Sequence, residues 1–156
     1  MGTILGVADA QFCGSPEALE RRSRSKDNAD DSALKTKPTA LIVDDEHLIA
    51  DTLAEILSEK GFESSAVYNP RDAIAQVREA CPDIVITDVA MPGMNGIELA
   101  KLVRNTCPDT RILLVSGQAT TAELVERAKR EGYSFEMLAK PIGPEALLQR
   151  LRRTDF

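Results

Sequence analysis

The stretch IVITD at residues 84–88, which runs directly into VAMPGMNG at residues 89–96, decides the fold of this chain. Four apolar or β-branched residues predict a buried strand, and the Pro-Gly and Asn-Gly pairs after it predict a turn-rich loop. Asp88 ends the strand, where a carboxylate is costly to bury unless a partner or a metal ion compensates its charge. The stretch therefore predicts a buried strand that carries a functional acid at its tip.

Four more runs of the same kind occur between residues 39 and 152, and amphipathic helical patterns alternate with them. The predicted strands are residues 40–43, 65–68, 84–87, 112–115 and 136–139. Continuous apolar strands that alternate with helices predict an α/β fold, a doubly wound (βα)5 structure with helices on both faces of a parallel sheet. In such folds the functional site lies at the carboxyl ends of the strands.

Length and composition limit the alternatives. The chain has 156 residues, which is enough for one domain with a real core and a tail, and its 43% hydrophobic and 28% charged residues are ordinary for a globular protein. The net charge of −6 and the lack of a long basic cluster argue against nucleic-acid binding. No apolar run approaches the roughly 18 residues that a membrane-spanning helix needs, so we expect no membrane partner.

Residues 1–37 differ in character from the rest. The segment RRSRSKDNADD at residues 21–31 is polar, carries mixed charge and offers little to bury. Such a segment cannot offset the entropy lost on ordering, so we predict a disordered N-terminal extension, with the folded domain at residues 38–156. Both a passive tail and a docking segment remain open for it.

The cysteines and the single histidine give weaker signals. Cys13, Cys81 and Cys107 are odd in number and have no partner at metal-ligand spacing. We expect reduced, structural thiols in a cytoplasmic protein. His47 is expected to be a solvent-facing residue of a helix.

Polar residues stand where the predicted strands end. They are Asp44 and Asp45 after the first strand, Asp88 after the third, Ser116 after the fourth and Lys140 after the fifth. Three carboxylates at one rim repel one another, and an all-oxygen cluster suits Mg²⁺. A carboxylate nucleophile, a divalent ion and charge-stabilising donors fit phosphoryl transfer. Each residue alone has an ordinary explanation as a cap or an ion-pair partner, but the set at one rim is a much stronger signal.

With these motifs the chain resembles the receiver domain of two-component response regulators, from about residue 39 to its end. The matching motifs are LIVDDE at 41–46, Asp88 with MPGMNG at 91–96, VSG at 115–117 and KP at 140–141. The resemblance implies a flavodoxin-like sheet with strand order 2-1-3-4-5. Because the chain ends just after the fifth helix, we expect a stand-alone receiver whose output is binding to another protein.

The resemblance also implies roles at the site. Asp88 would accept a phosphoryl group from a sensor histidine kinase or a histidine phosphotransfer protein. Mg²⁺ would be held by Asp45, Asp88 and the backbone carbonyl of Ala90, with Asp44 acting mainly through water.

Two further residues would respond to phosphorylation. Lys140 would pair with Asp88 at rest and with the phosphoryl oxygens afterwards, and Ser116 would swing to bond the phosphoryl group. The peptide bond between Lys140 and Pro141 is expected to be cis.

Some positions depart from the family or vary within it. Met137 stands where many members carry an aromatic residue that reorients on activation, so the simple aromatic account of switching is in doubt. Ala90 and Gln118 flank the route of an attacking water, and because Ala90 offers no polar group we expect slow or moderate self-dephosphorylation.

The expected docking face for an output protein is formed by the fourth helix, the fifth strand and the fifth helix. On the fourth helix it would include Leu124, Val125, Arg127, Lys129 and Arg130. Charged residues on a helix are usually only a solvated face, so this surface is the weaker expectation.

Two alternative functions remain. One is an adaptor that keeps the fold and works without phosphorylation, which the complete set of site residues argues against. The other is a phosphohydrolase with an aspartyl nucleophile, but two acids spaced by one residue after the first strand are absent. We therefore expect no enzyme beyond catalysis of the protein's own phosphorylation and dephosphorylation.

Overall fold

Five parallel strands and five helices alternate along residues 36–117 and 121–152, the part of the chain that the computed structural model describes. The strands are β1 (Thr39–Val43), β2 (Glu63–Val67), β3 (Ile84–Asp88), β4 (Arg111–Ser116) and β5 (Glu136–Ala139). The helices are α1 (His47–Glu59), α2 (Pro70–Glu79), α3 (Gly96–Thr106), α4 (Thr121–Arg130) and α5 (Pro144–Arg152). The strand order β2-β1-β3-β4-β5 confirms the predicted flavodoxin-like (βα)5 sheet. The predicted disordered extension lies, apart from its last two residues, outside the described residues and stays a prediction.

The sheet divides the core into two apolar layers, because successive strand side chains point to opposite faces. Leu41 and Val43 pack in one layer with helices α2, α3 and α4. Ala40 and Ile42 pack in the other layer with helices α1 and α5. Every residue of β3 is buried, so Asp88 is held at the end of a strand that is covered on both faces.

The start of α3 fixes the loop that follows Asp88. The side chain of Asn95 caps the helix by accepting a hydrogen bond from the Glu98 backbone N–H at 2.9 Å. The Gly96 N–H donates to the Val89 carbonyl at 2.9 Å. A Cβ at position 96 would lie 2.1 Å from the Asp88 carbonyl oxygen, so only glycine permits this approach of the helix to the acid.

Cys81 and Cys107 form a disulfide, so the prediction of reduced thiols is wrong for this pair. Helices α2 and α3 pack side by side in the same layer, and their C-terminal ends reach the same edge of the sheet. Cys81 follows the end of α2 and Cys107 follows the end of α3, which brings their Cα atoms to 5.7 Å. The separation of 26 residues in sequence gives no sign of this proximity, because it depends on which face each helix covers. Cys13 lies outside the described residues.

Among the described helices, none combines the length and the apolar character that crossing a membrane would require.

Gly96→Ala is expected to destabilise the protein by about 1–3 kcal/mol, the range typical of overpacking, because the new methyl group collides with the Asp88 backbone. Urea unfolding followed by circular dichroism measures this loss. Gly143→Ala is the matched control, since a Cβ there meets nothing within 4 Å. Equal unfolding midpoints for the two variants would show that the α3 approach tolerates a side chain.

Candidate functional site

Three carboxylates converge at the carboxyl ends of β1 and β3, as predicted. Asp44 and Asp45 directly follow β1, and Asp88 ends β3. The two strands are neighbours in the sheet, with Val43 paired to Thr87, so their ends carry the acids side by side. Carboxylate oxygens of the three residues all lie within 4.8 Å of one another. Asp44 and Asp88 are buried, whereas Asp45 is exposed.

Lys140 supplies the positive charge of the cluster. Its ammonium lies 3.3 Å from Asp44 Oδ2 and 3.3 Å from Asp88 Oδ2. Its backbone N–H donates to the Ser116 carbonyl at 2.9 Å, which fixes the end of β5 against the end of β4. The peptide bond between Lys140 and Pro141 is cis, as expected. One ammonium thus bridges the two buried acids.

Backbone donors hold the remaining carboxylate oxygens. The Glu46 N–H donates to Asp44 Oδ1 at 3.0 Å, and the Ala90 N–H lies 3.4 Å from Asp88 Oδ1. Asp44 and Asp88 therefore each have one carboxylate oxygen near the Lys140 ammonium and the other near a backbone amide of the loop that follows the acid. This arrangement aims both carboxylates in fixed directions before any ligand arrives.

Burial and neighbouring charges raise the pKa values of both Asp88 and Lys140. Burial raises the pKa of the Asp88 carboxyl, the Lys140 ammonium opposes that rise, and the Asp44 carboxylate adds to it. Burial alone would lower the pKa of Lys140, but the carboxylates of Asp88 and Asp44 outweigh it and the pKa is raised. Lys140 is therefore charged at neutral pH. Ionisation of the buried Asp88 carboxyl costs free energy, and a further cation would reduce that cost.

The donor set fits a hard divalent cation. Three carboxylates within mutual reach offer only oxygen ligands, which is the chemistry that Mg²⁺ prefers. One ammonium faces Asp44 and Asp88, so the three negative charges of the cluster are not balanced by Lys140 alone. The exposed position of Asp45 leaves the cluster accessible from solvent. Asp45 and Asp88 have the chemistry to hold such an ion, and their role as metal ligands stays a prediction.

Ser116 has a buried hydroxyl partner that sequence reasoning missed. The hydroxyl groups of Ser116 and Thr121 form a short hydrogen bond, and the two residues are 5% and 2% exposed. Thr121 is the first residue of α4, so the bond joins the end of β4 to the beginning of that helix. The two consecutive threonines at positions 120 and 121 are the only hint of this partner in the sequence around the end of β4.

A second cluster at the rim was also missed. The His47 ring stacks on the Tyr68 ring with centroids 3.7 Å apart, and the Tyr68 hydroxyl donates to Asp51 Oδ1 at 2.6 Å. This hydrogen bond is the first cause of a raised pKa of Tyr68. His47 is exposed, as expected, but it lies against an aromatic ring beside the acidic rim.

Met137 and the α4 residues of the expected docking face differ in how deeply they are buried. Met137 is partly buried and packs against the layer of α2, α3 and α4. Val125 is buried in the core, so its predicted part in a docking face is wrong. Leu124 keeps 36% of its surface exposed. Arg127 pairs with Glu131 at 3.6 Å.

Lys129 likewise pairs with Glu126, at 3.3 Å. These pairs give Arg127 and Lys129 acidic neighbours on their own helix or just beyond it, which favours a solvated face. Gln118 lies outside the described residues, so its predicted part in dephosphorylation stays a prediction.

Comparisons with known proteins agree with this geometry. The family model of the response regulator receiver domain matches residues 40–152. The chemotaxis protein CheY of Thermotoga maritima is 32% identical over 116 residues, which span 74% of this chain and 95% of that protein. A solved structure of the chemotaxis response regulator CheY4 of Vibrio cholerae, 33% identical, superposes with a TM-score of 0.67 over 76% of this chain and 98% of that one. The chain belongs to the receiver domain family of response regulators.

Other relatives of this family carry further parts. The DNA-binding response regulator MtrA of Mycobacterium tuberculosis is 30% identical over 112 residues, but these cover only 48% of its length. The similarity therefore concerns the receiver domain, and the DNA binding in the name of MtrA is said of that protein alone.

The raised pKa of Asp88 predicts how its charge affects stability. A carboxyl group whose pKa is higher in the folded than in the unfolded state destabilises the fold as pH rises through that window. In EDTA, Asp88→Asn should therefore be more stable than the wild type at pH 7. The difference should shrink as pH falls towards the ordinary carboxyl pKa.

Thermal unfolding between pH 4 and pH 7 measures this difference. Asp109→Asn is the control, because Asp109 is an exposed acid in the loop between α3 and β4. A wild type as stable as Asp88→Asn throughout that range would show that burial of the Asp88 charge has no net cost.

Proposed function

We propose that this protein is a phosphoacceptor of a two-component phosphorelay, in which Asp88 accepts a phosphoryl group from a phosphohistidine. The observation that carries the proposal is the buried Asp88 carboxylate, held 3.3 Å from the Lys140 ammonium and beside two further acids. A merely structural ion pair between Lys140 and Asp88 would not need two further acids beside it. The membership in the receiver family supports the same role.

The reaction joins the phosphoryl phosphorus to a carboxylate oxygen of Asp88. The bond between phosphorus and the imidazole nitrogen of the donor breaks, and its electron pair stays on the imidazole, which takes up a proton. Mg²⁺, held by Asp45, Asp88 and the Ala90 carbonyl with Asp44 through water, would neutralise charge on the phosphoryl oxygens. Lys140 already lies against Asp88 and stays charged, so it can follow the negative charge from the carboxylate to the phosphoryl group.

The Ser116 and Thr121 pair supports a switching route that needs no aromatic residue. We infer that the Ser116 hydroxyl turns away from Thr121 when it bonds a phosphoryl oxygen on Asp88. The beginning of α4 then loses a buried partner and is free to move. We therefore assign the transmission to Thr121, with Met137 repacking beside it in the layer of α2, α3 and α4.

The donor would approach over an apolar groove beside Lys140. This groove has a volume of about 680 Å³ and is lined mainly by α1 and by residues 140–144. Leu48, on α1, is 80% exposed at its edge. An exposed apolar residue next to the reacting acid suits a partner that docks briefly to deliver a phosphoryl group.

The remaining expectations follow from this role. Histidine kinases and phosphotransfer proteins are the proposed donors, in the cytoplasm, and the output is binding of an unidentified protein at the face of α4, β5 and α5. Ala90 offers no polar side chain to orient water, so we propose a slow or moderate loss of the phosphoryl group. We propose no enzymatic turnover of other substrates and no nucleic-acid partner.

Incubation with Mg²⁺ and a small phosphodonor such as phosphoramidate tests the assignment of Asp88. We expect one acid-stable, hydroxylamine-labile phosphoryl group per chain in the wild type, and none in Asp88→Asn or in EDTA. Intact-protein mass spectrometry measures the labelling, with Asp109→Asn as a control that should label normally. Labelling that persists in Asp88→Asn would sink the assignment, and continuous turnover of a phosphomonoester would favour a phosphohydrolase.

Thr121→Val is expected to favour the phosphorylated form about fivefold, since it removes a hydrogen bond worth on the order of 1 kcal/mol from the resting state. Thr121→Ser keeps the hydroxyl and is the matched control. The labelled fraction at a fixed low phosphodonor concentration measures the effect. If Thr121→Val and Thr121→Ser label equally, Thr121 takes no part in the switch.

A further inference from the structure

We propose that Cys81 and Cys107 are a redox site, at which the disulfide exchanges with a dithiol and thereby alters the phosphorylation of Asp88. The exchange itself is independent of the function proposed above, whereas its effect on Asp88 rests on that function. Three features of the structure support the proposal: the access to one sulfur, the environment of the other, and the segment of chain that the disulfide closes.

One cysteine of the pair is exposed and the other is buried. Cys81 is exposed and lines a cleft of about 400 Å³ beside the amino ends of β1 and β2. Cys107 is only 2% exposed and belongs to the apolar layer of α2, α3 and α4. A thiolate from outside can therefore attack the sulfur of Cys81 and not that of Cys107.

The environment of Cys107 accommodates a released thiol. Its Sγ lies 3.7 Å from the Val77 carbonyl oxygen, which can accept a hydrogen bond from an S–H group. An apolar site favours the neutral thiol over the thiolate. After reduction, Cys107 thus has a partner in place and can stay buried without unfolding the layer around it.

The exchange balances with a dithiol as the reductant. One thiolate of the dithiol attacks the Cys81 sulfur, the bond between the two cysteine sulfurs breaks, and Cys107 leaves with the electron pair and takes up a proton. The second thiol of the reductant attacks its own partner sulfur in the mixed disulfide and releases Cys81, which is protonated in turn. Two electrons and two protons pass to the cysteines, and the dithiol becomes a cyclic disulfide.

The closed segment contains the phosphoacceptor. The chain from Cys81 to Cys107 includes all of β3, Asp88, the loop after it and α3. The 11-residue helix α3 is about 16 Å long. Its first residue, Gly96, rests on the Asp88 backbone, and its C-cap is Cys107. The disulfide therefore fixes the far end of a helix whose near end holds the Asp88 loop.

The exposure of Cys81 and the proposed cellular compartment favour an exchangeable disulfide over a permanent one. A disulfide that only stabilised the fold would be best protected if both sulfurs were buried, but Cys81 is open to solvent. In a reducing compartment, disulfides are usually transient and serve catalysis or redox sensing. A bond that is made and broken reconciles the predicted cytoplasmic location with the observed disulfide.

The full chain, equilibrated in mixtures of reduced and oxidised dithiothreitol, tests the redox site. We expect the pair to interconvert reversibly, as counted by alkylation of free thiols and mass spectrometry. Reduction should lower Tm by about 10 °C, because the 26-residue closure no longer constrains the unfolded chain. Failure of the pair to form a disulfide in the oxidising mixtures, or to open in the reducing ones, would overturn the proposal.

The effect on Asp88 is measured in the same samples as the initial rate of labelling by phosphoramidate with Mg²⁺. We expect labelling to be at least threefold slower in the reduced protein, because the end of α3 is no longer covalently tied to the segment that follows α2. Cys81→Ser, at an exposed position, should label like the reduced protein under both conditions, and Cys13→Ala should respond like the wild type.

Three outcomes separate the proposals. Equal rates for the oxidised and reduced proteins would overturn the regulatory effect and leave the redox site standing. No labelling in either state would overturn the proposed function, while the thiol count would still decide the redox site. If the labelling rate of Cys13→Ala no longer responds to reduction, the redox site is not the pair of Cys81 and Cys107.

Discussion

The ion pair network of Lys140 with Asp44 and Asp88 is the interaction on which the site depends. Without the ammonium, the charges of two buried carboxylates at the end of the sheet would be uncompensated, which would destabilise the fold. Because Lys140 follows β5 and the acids follow β1 and β3, the network also ties three strand ends together. The same contact therefore offsets part of the cost of the Asp88 charge and orients the reactive acid.

Much of this structure could be predicted from the sequence. The alternation of strands and helices is evident in the sequence, because apolar runs such as β3 lie between turn signals. The five site residues stand where the predicted strands end. The observed strands agree with the predicted ones to within two residues at each end. Parallel strands force their carboxyl ends to one edge, so the convergence of Asp44, Asp88 and Lys140 follows from topology alone.

Features that depend on packing between distant elements could not be predicted. The disulfide required knowledge that α2 and α3 share a face, and the buried position of Val125 required the packing of α4. The hydrogen bond between Ser116 and Thr121 depends on where the first residue of α4 lies relative to the end of β4. The stacking of His47 on Tyr68 depends on the entry angle of α1. In each case a local role accounts for the residue in the sequence, and only its tertiary contacts show a second role.

The division of the core into two layers has a consequence for how sequences of this kind can vary. Leu41 and Val43 contact one set of helices, Ala40 and Ile42 contact the other, and the sheet lies between them. We expect substitutions that reshape the α1 and α5 layer to leave the packing of the α2, α3 and α4 layer intact, because none of the described core side chains belongs to both layers. Specificity for a donor at the α1 groove and the response of α4 can thus diversify independently, as two modules that share one backbone.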